Sequence, residues 1–202
     1  MLGKSEIEPE YIYSSSMSDN KIIAIGCDHA GFDYKEAIKN HLEGLGYEVK
    51  DFGTHSTDSV DYPDFVHPLA KEIDGGTISL GVLICGSGNG VCMTANKYPG
   101  VRAALAWEED LSRLARTHNN ANVLCLPQRF VEQEAALRMV DLFVNTDFEG
   151  GRHQRRVNKI APSLVIMSAT RLSSAASLVK PVRLLSNHNI SLAYGGWIFT
   201  QI

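Results

Sequence analysis

The sequence has few cysteines, and their spacing is informative mainly for what it excludes. Four occur in 202 residues, and no two of them form a CxxC pair or lie at the usual spacing of zinc ligands. Neither a disulfide framework nor a zinc-binding module is therefore predicted. We expect a reduced, cytoplasmic protein in which a free thiol can stay reactive.

Long apolar runs and runs of one charge are also missing. No segment reaches the roughly 20 apolar residues that span a bilayer. The net charge of -4 comes from 19 basic and 23 acidic residues without a basic stripe. These absences argue against a membrane protein and a nucleic-acid-binding protein. Residues 1–20 are polar and serine-rich, without the apolar run of a secretory signal, and predict a disordered lead-in.

Residues 21–162 show a regular alternation of strand-like and helix-like segments. Buried strands are predicted at 21–27, 47–52, 79–85, 101–107 and 122–126. Helical spacing occupies the intervals between them, and an amphipathic helix is predicted over 131–144. This alternation predicts a five-stranded parallel sheet inside a three-layer α/β/α sandwich of the Rossmann-like type. Residues 163–202 have no clean period and form a C-terminal extension of unknown role.

Three polar clusters follow predicted elements. They are Asp28-His29, the loop 85–90 and His118-Asn119. In open parallel sheets, ligands bind beyond the carboxyl ends of the strands. We therefore expect all three clusters to meet at that edge of the sheet.

The loop 85–90 (CGSGNG) carries the strongest chemical signal. Its three glycines allow a tight curl that points backbone N–H groups inward, and the positive potential of the following helix favours a thiolate. Cys85 would then be a base or nucleophile beside a site for a developing oxyanion. The alternative is a buried strand end followed by an ordinary turn.

The same loop is superficially similar to a dinucleotide-binding fingerprint. Glu108 follows the next predicted strand, as a ribose-binding acid would. However, the sixth position of the pattern is Val91 instead of glycine or alanine, and the loop follows the third strand instead of the first. A nicotinamide cofactor is therefore not favoured.

The remaining clusters each allow two interpretations. Asp28 can cap the next helix, and His29 beside it can contact a ligand. His118 can act as a general acid–base or simply end a surface helix. Arg152 and Arg156 lie four residues apart and share a face if they are helical, which suits a phosphate dianion. Otherwise they belong to a solvated basic turn.

These clusters occur together in one family. The segments IAIGCDHAGFDYKEAI, DYPDF, LICGSGNGVCMTANKYPGVRAAL, RTHNNANVLCL and FEGGRHQRRVNKI closely resemble the type B ribose-5-phosphate isomerases. That family also contains galactose-6-phosphate and allose-6-phosphate isomerases. The resemblance runs from about residue 21 to residue 160, and it is far more specific than any one motif.

The resemblance implies an aldose–ketose isomerase that interconverts D-ribose 5-phosphate and D-ribulose 5-phosphate through an enediolate, without a metal or redox cofactor. Cys85 would move the proton between C1 and C2, His118 would open the furanose ring, and Ser87 would hydrogen-bond near the migrating oxygen. Some members use a glutamate where this chain has Val91, so it resembles the cysteine subtype. The implied substrate-binding residues are Asp28, His29, Tyr62, Gly86, Ser87, Gly88, Asn89, Gly90, Asn119, Arg129, Arg152 and Arg156.

The resemblance also implies a homodimer or homotetramer with sites between subunits. Two alternatives remain open. One is a hexose-6-phosphate isomerase of the same family, and the other is a non-catalytic sugar-phosphate-binding protein. The pairing of Cys85 with His118 argues against the second, because a binding protein needs the arginines but not the base.

Overall fold

Five strands alternate with helices along residues 22–161, the part of the chain that the computed structural model describes. The strands are β1 (Ile22–Cys27), β2 (Glu48–Asp51), β3 (Leu80–Cys85), β4 (Ala103–Leu105) and β5 (Val123–Pro127). The helices are α1 (Phe32–Gly44), α2 (Tyr62–Asp74), α3 (Asn89–Ala95), α4 (Glu109–Asn119), α5 (Gln133–Asn145) and α6 (Gly151–Val157). The predicted lead-in (1–20) and C-terminal extension (163–202) lie outside the described residues.

The strands form one parallel sheet in the order β2-β1-β3-β5-β4, as predicted. From β1 the chain moves outward to β2, and it then returns to the other side of β1 to form β3. The connection that leaves β1 and the connection that leaves β3 therefore run to opposite sides of the sheet. The two strands are neighbours there, and Cys27 is paired with Ile84. Such a switch point opens a crevice at the edge where the strands end, here called the carboxyl edge. The opposite edge, where the strands begin, is the amino edge.

Helices cover both faces of the sheet, which confirms the three-layer α/β/α sandwich. Ile23 and Ile25 pack with α1, α4 and α5, whereas Ala24 packs with α2 and α3 on the other face. Side chains alternate in the same way along β3, so Ile84 and Cys85 belong to opposite cores. None of the helices in the described region is long and apolar enough to cross a membrane.

The edge strand β4 is shorter than predicted. The sequence predicts a strand over 101–107, but only Ala103–Leu105 pair with β5. Before it, the backbone N–H of Arg102 donates to the Asn122 side chain at 2.7 Å instead of to a backbone carbonyl. After it, Trp107 is 53% exposed. The apolar run in the sequence is therefore longer than the paired strand, since its last residue, Trp107, is exposed beyond the end of β4.

A buried ion pair ties α1 to β2. Lys35 is fully buried, and its Nζ lies 2.8 Å from Asp51 Oδ2 and 2.8 Å from Glu36 Oε1. For Asp51, burial alone would raise the pKa of the carboxyl, but the hydrogen bond from Lys35 and the Gly53 N–H outweigh it and lower the pKa. A buried cation of this kind is stable only while its carboxylate partner is present.

Candidate active site

The loop after β3 curls over the sulfur of Cys85. The backbone N–H of Gly88 donates to Cys85 Sγ at 3.0 Å, which directs a backbone dipole at the sulfur. Ser87 is exposed on the outside of the loop, and its Oγ accepts from the Asn89 N–H at 3.4 Å. The predicted curl of loop 85–90 is therefore present. A base at the strand end with backbone donors beside it can serve proton transfer next to a developing oxyanion.

Two glycines of this loop have physical reasons to be glycine. Gly88 has φ of 72°, and a Cβ there would overlap the Leu105 side chain. At Gly90, a Cβ would lie 2.7 Å from Cζ of Tyr62, so the Tyr62 ring lies directly over the loop backbone. The loop conformation therefore depends on glycine, and it brings the predicted Tyr62 into the site.

A turn after β5 closes the other side of the loop. The Gln128 N–H donates to the Cys85 carbonyl at 3.0 Å, and the Arg129 N–H donates to the Gly86 carbonyl at 3.1 Å. The Arg129 side chain passes alongside Gly86, with Nε 3.1 Å from where a Cβ would stand. Arg129, one of the substrate-binding residues that the resemblance implies, is thus a neighbour of the loop, and it brings a positive charge to the carboxyl edge.

The turn after β1 places Asp28 and His29 beside this loop. The last paired residues of β1 and β3 are Cys27 and Ile84, so Asp28 and Cys85 are the next residues along two neighbouring strands. Asp28 is buried and accepts the Ala30 N–H at 2.9 Å, which is the predicted capping contact. His29 Nδ1 accepts the Val60 N–H at 3.2 Å. Because Nδ1 accepts this bond, Nε2 is the ring nitrogen that can donate to a ligand.

The other cysteines are not placed for this chemistry. Burial raises the pKa of the Cys27 thiol to about 12, and burial also raises the pKa of Cys125 well above its ordinary value. Both side chains belong to the cores. Cys92 is half-buried in α3, where its Sγ donates to the Ala103 carbonyl at 3.4 Å.

His118 and Asn119 lie elsewhere, and the prediction that all three clusters share the carboxyl edge is wrong. Both belong to the last turn of α4, which runs back from the carboxyl edge to the amino edge over 11 residues, or roughly 16 Å. Directly after it, the Asn120 carbonyl accepts from Arg102 Nε at 2.7 Å, at the beginning of β4. Within one chain, His118 and Cys85 therefore lie toward opposite edges of the sheet.

His118 has two close neighbours that the sequence did not single out. Its ring stacks on that of His153, with centroids 4.1 Å apart and planes inclined by 7°. Glu149 Oε2 lies 3.9 Å from Nε2 of His118 and 3.8 Å from Nε2 of His153. The Glu149 N–H donates to the Thr117 carbonyl at 3.1 Å and fixes this loop against α4. The four-residue spacing of Glu149 and His153 is visible in the sequence, but the stacking is not.

The two predicted phosphate-binding arginines lie on α6, close to His118. Residues 152–156 are helical, so Arg152 and Arg156 share the exposed face while His153 points inward. Arg152 Nε donates to Nε2 of His153 at 3.2 Å. Burial, together with the nearby His118, lowers the pKa of His153. The predicted site residues thus form two groups: a carboxyl-edge group around Cys85 and an α4–α6 group around His118.

The surface beside the carboxyl-edge group is apolar. A depression of about 500 Å³ adjoins the loop. It is lined by Ser87, Asn89, Leu105, Trp107, Pro127 and Phe130. Phe130 is 73% exposed and Trp107 is 53% exposed. Large aromatic side chains that are exposed to solvent next to a polar loop indicate a surface that binds another molecule.

A larger cavity of about 780 Å³ lies at the amino edge but is not the better candidate. Among the described residues, its lining includes none of the predicted site residues. Its arginines, Arg102 and Arg116, donate from Nε to the Asn120 and Thr146 carbonyls. These guanidinium groups satisfy carbonyls at element ends, so they stabilise the fold there.

Comparison with known proteins agrees with the geometry. A family model described as Ribose/Galactose Isomerase matches residues 23–160. Ribose-5-phosphate isomerase B of Escherichia coli is 44% identical over 140 residues, which are 69% of this chain and 94% of that protein. A crystal structure of a ribose 5-phosphate isomerase from Thermotoga maritima is 50% identical with a TM-score of 0.68, covering 69% of this chain and 97% of that one. The structure of ribose-5-phosphate isomerase B from Mycoplasma genitalium with bound ribulose-5-phosphate is 48% identical with a TM-score of 0.67, covering 69% and 93%. The chain therefore belongs to the ribose/galactose isomerase family.

Proposed function

We propose that this protein interconverts D-ribose 5-phosphate and D-ribulose 5-phosphate by proton transfer through an enediolate. The observation that carries the proposal is the Cys85 sulfur under the Gly88 N–H, inside a loop of closely spaced backbone donors. The relative from Mycoplasma genitalium, which holds ribulose-5-phosphate, gives the substrate class. In this reaction one proton moves from C2 to C1 and a second moves from the O2 hydroxyl to O1, so no net oxidation occurs.

The carboxyl-edge group supplies the proton transfer. Cys85, as thiolate, takes the proton from C2 of the open-chain aldose and returns it to C1. The charge that develops on the sugar oxygens in between is stabilised by backbone N–H groups of loop 85–90, aided by Ser87 and Asn89. Asp28 and Tyr62 border the same loop and contact the sugar hydroxyls. Arg129 adds a positive charge beside the developing enediolate.

The α4–α6 group supplies the other functions. His118 exchanges a proton with the ring oxygen and so opens the furanose, and Asn119 beside it binds a hydroxyl group. Arg152 and Arg156 clamp the phosphate, together with His29 of the carboxyl-edge group. Binding energy from the phosphate then holds the reacting carbons over the base.

A second copy of the chain brings the two groups together. Within one chain they lie toward opposite edges, and α4 alone spans roughly 16 Å between those edges. In a twofold dimer, the α4–α6 group of one copy can face the carboxyl-edge group of the other, and both sites become complete at once. The exposed Phe130 and Trp107 beside the loop give such a partner an apolar surface to cover. A homodimer, alone or paired into a homotetramer, is the assembly that this proposal requires.

A reducing compartment suits the proposal, because the base is a thiol. Among the described residues all four cysteines are free. A thiolate at Cys85 would be lost to oxidation outside such a compartment. We therefore place the protein in the cytoplasm.

The test is isomerisation of ribose 5-phosphate by the purified full chain without added metal or nicotinamide, with galactose 6-phosphate and allose 6-phosphate assayed in parallel. We expect turnover of the pentose, and a loss of at least about 100-fold in kcat for Cys85→Ala. Cys92→Ala is the matched control, since it removes a thiol from α3, outside the loop, and should keep most of the activity.

The other outcomes each have a distinct meaning. Turnover of a hexose phosphate without the pentose would move the assignment to another substrate of the same family. Silence on all three sugars, with retained phosphate-sugar binding, would mean a non-catalytic binding protein. An unchanged kcat in Cys85→Ala would show that the base is a different residue.

A further inference from the structure

The α4–α6 group contains a set of metal-binding side chains that the isomerase reaction does not use as a set. His118, Glu149 and His153 come from the end of α4, the following loop and the inner face of α6. Their ligand atoms all lie within 4.8 Å of one another. The carboxylate lies almost equally far from both Nε2 atoms, at 3.9 and 3.8 Å. Three potential ligands thus lie close together, with Glu149 exposed and His153 buried.

The chemistry of this set fits a borderline divalent cation. Two imidazoles and one carboxylate are the protein ligands of several catalytic zinc sites, which leave a fourth position to water. Bonds of about 2.0–2.2 Å require ligand atoms to lie roughly 3.4 Å apart in a tetrahedron. The carboxylate must therefore move inward by about 0.5 Å, ligand atoms that lie up to 4.8 Å apart must approach each other, and the stacked rings must tilt out of parallel. The Glu149 side chain is 56% exposed and free to make that movement.

One contact opposes the cation. Arg152 Nε donates to His153 Nε2 at 3.2 Å, so the lone pair that a metal would take already has a partner. The arginine also brings a positive charge close to the cluster. Arg152 is exposed and can turn away. Metal binding and this hydrogen bond are therefore mutually exclusive. Removal of the Arg152 side chain should for this reason increase the affinity of the cluster for a metal ion.

We propose that His118, Glu149 and His153 bind a divalent transition metal, with Zn²⁺ the best match, and that the bound ion inhibits the isomerase by occupying His118. The binding stands on the geometry of the cluster. The inhibition rests on the proposed function, because it requires His118 as the ring-opening acid–base.

Metal binding is measured without reference to activity. The untagged full chain carrying Cys85→Ala is titrated with Co²⁺, whose visible spectrum reports its ligands, and with Zn²⁺ by calorimetry. We expect one ion per chain, with nitrogen and oxygen ligands and no thiolate absorption. In the same background, Glu149→Gln should weaken binding at least about tenfold, because even indirect partners of a metal are worth that much. Asp147→Asn removes a carboxylate two residues away and should leave affinity unchanged.

A second variant tests this effect of Arg152. Arg152→Gln should bind Zn²⁺ more tightly than the parent chain. Three results would each overturn the site. They are absence of binding in the parent chain, an affinity of Glu149→Gln equal to that of the parent, and an affinity of Arg152→Gln weaker than that of the parent. The Arg152 variant guards against a folding artefact, because a damaged fold does not improve metal affinity.

Inhibition is then measured on the wild-type chain. Zn²⁺ should lower the turnover of ribose 5-phosphate, a chelator should restore it, and Glu149→Gln should need at least about tenfold more Zn²⁺ for the same effect. Binding without inhibition in an active enzyme would refute the role assigned to the ion. If the chain has no isomerase activity, the proposed function fails while the Co²⁺ spectrum still decides the site.

Discussion

Two inactive variants should restore activity when they assemble with each other. Cys85→Ala destroys the carboxyl-edge group, and His118→Ala destroys the α4–α6 group. If each site takes one group from each of two copies, a mixed dimer has one site with both defects and one site with neither. Each variant alone remains inactive, because every one of its sites carries the same defect.

The size of the recovery follows from counting sites. Random pairing of equal amounts gives about half mixed dimers, each with one intact site in two, so activity should reach about one quarter of wild type. A tetramer built from two such dimers gives about the same value. Recovery is expected because the two groups of one chain lie apart: α4 carries His118 roughly 16 Å back across the sheet, away from the edge where Cys85 lies.

The assay is isomerase activity after co-expression, or after dissociation and reassociation of the two purified variants. A mixture of Cys85→Ala with Cys85→Ser is the control, since both defects lie in the same group and no intact site can form. Recovery in the first mixture and none in the control is the expected result. No recovery in the first mixture, despite mixed dimers demonstrated by mass spectrometry, would refute the shared site and require Cys85 and His118 to act within one chain.

Three further predictions concern stability and assembly. Gly88→Ala places a Cβ at a positive φ and against the Leu105 side chain. The free energy of unfolding, measured by urea titration, should therefore fall by at least about 1–2 kcal/mol, and kcat should fall as well. Unchanged stability would contradict the role of glycine at this position. Asp51→Asn leaves Lys35 buried without its main partner and should destabilise by about 3 kcal/mol at neutral pH. The folded pKa of Asp51 is lowered, so its contribution to stability is complete above its unfolded pKa of about 3.9 and disappears as the pH falls through the folded value. The melting temperatures at pH 7 and pH 3 should therefore differ less in Asp51→Asn than in the wild-type protein. An equal difference in both proteins would contradict this role of Asp51. Phe130→Asp should shift sedimentation toward smaller species, whereas an unchanged profile would place the interface elsewhere.

The fold could be predicted from the sequence because its signals are local. The apolar runs that become β1 and β3 are unambiguous, and helical spacing separates the strands. The short β4 was not predictable, because the Arg102 N–H pairs with the side chain of Asn122, which is 20 residues away. Apolar composition alone does not report such a long-range partner.

The site could be predicted only in part for the same reason. Cys85 ends β3 and Asp28 follows β1, and since these two strands are neighbours, their carboxyl ends lie side by side. His118 follows a helix, and the end of a helix that returns across the sheet lies at the opposite edge. His153 was missed because its importance comes from stacking between α4 and α6, and the stacking depends on how these two helices pack.

The return of α4 across the sheet also has a kinetic consequence. In the proposed arrangement, a lone chain carries two half-sites and no whole one. Dilution below the dimer dissociation constant is then equivalent to inhibition, and specific activity rises with protein concentration until the copies are paired. The effective amount of catalyst in a cell would depend on the square of the chain concentration when the protein is scarce, so that a modest change in expression would produce a larger change in flux.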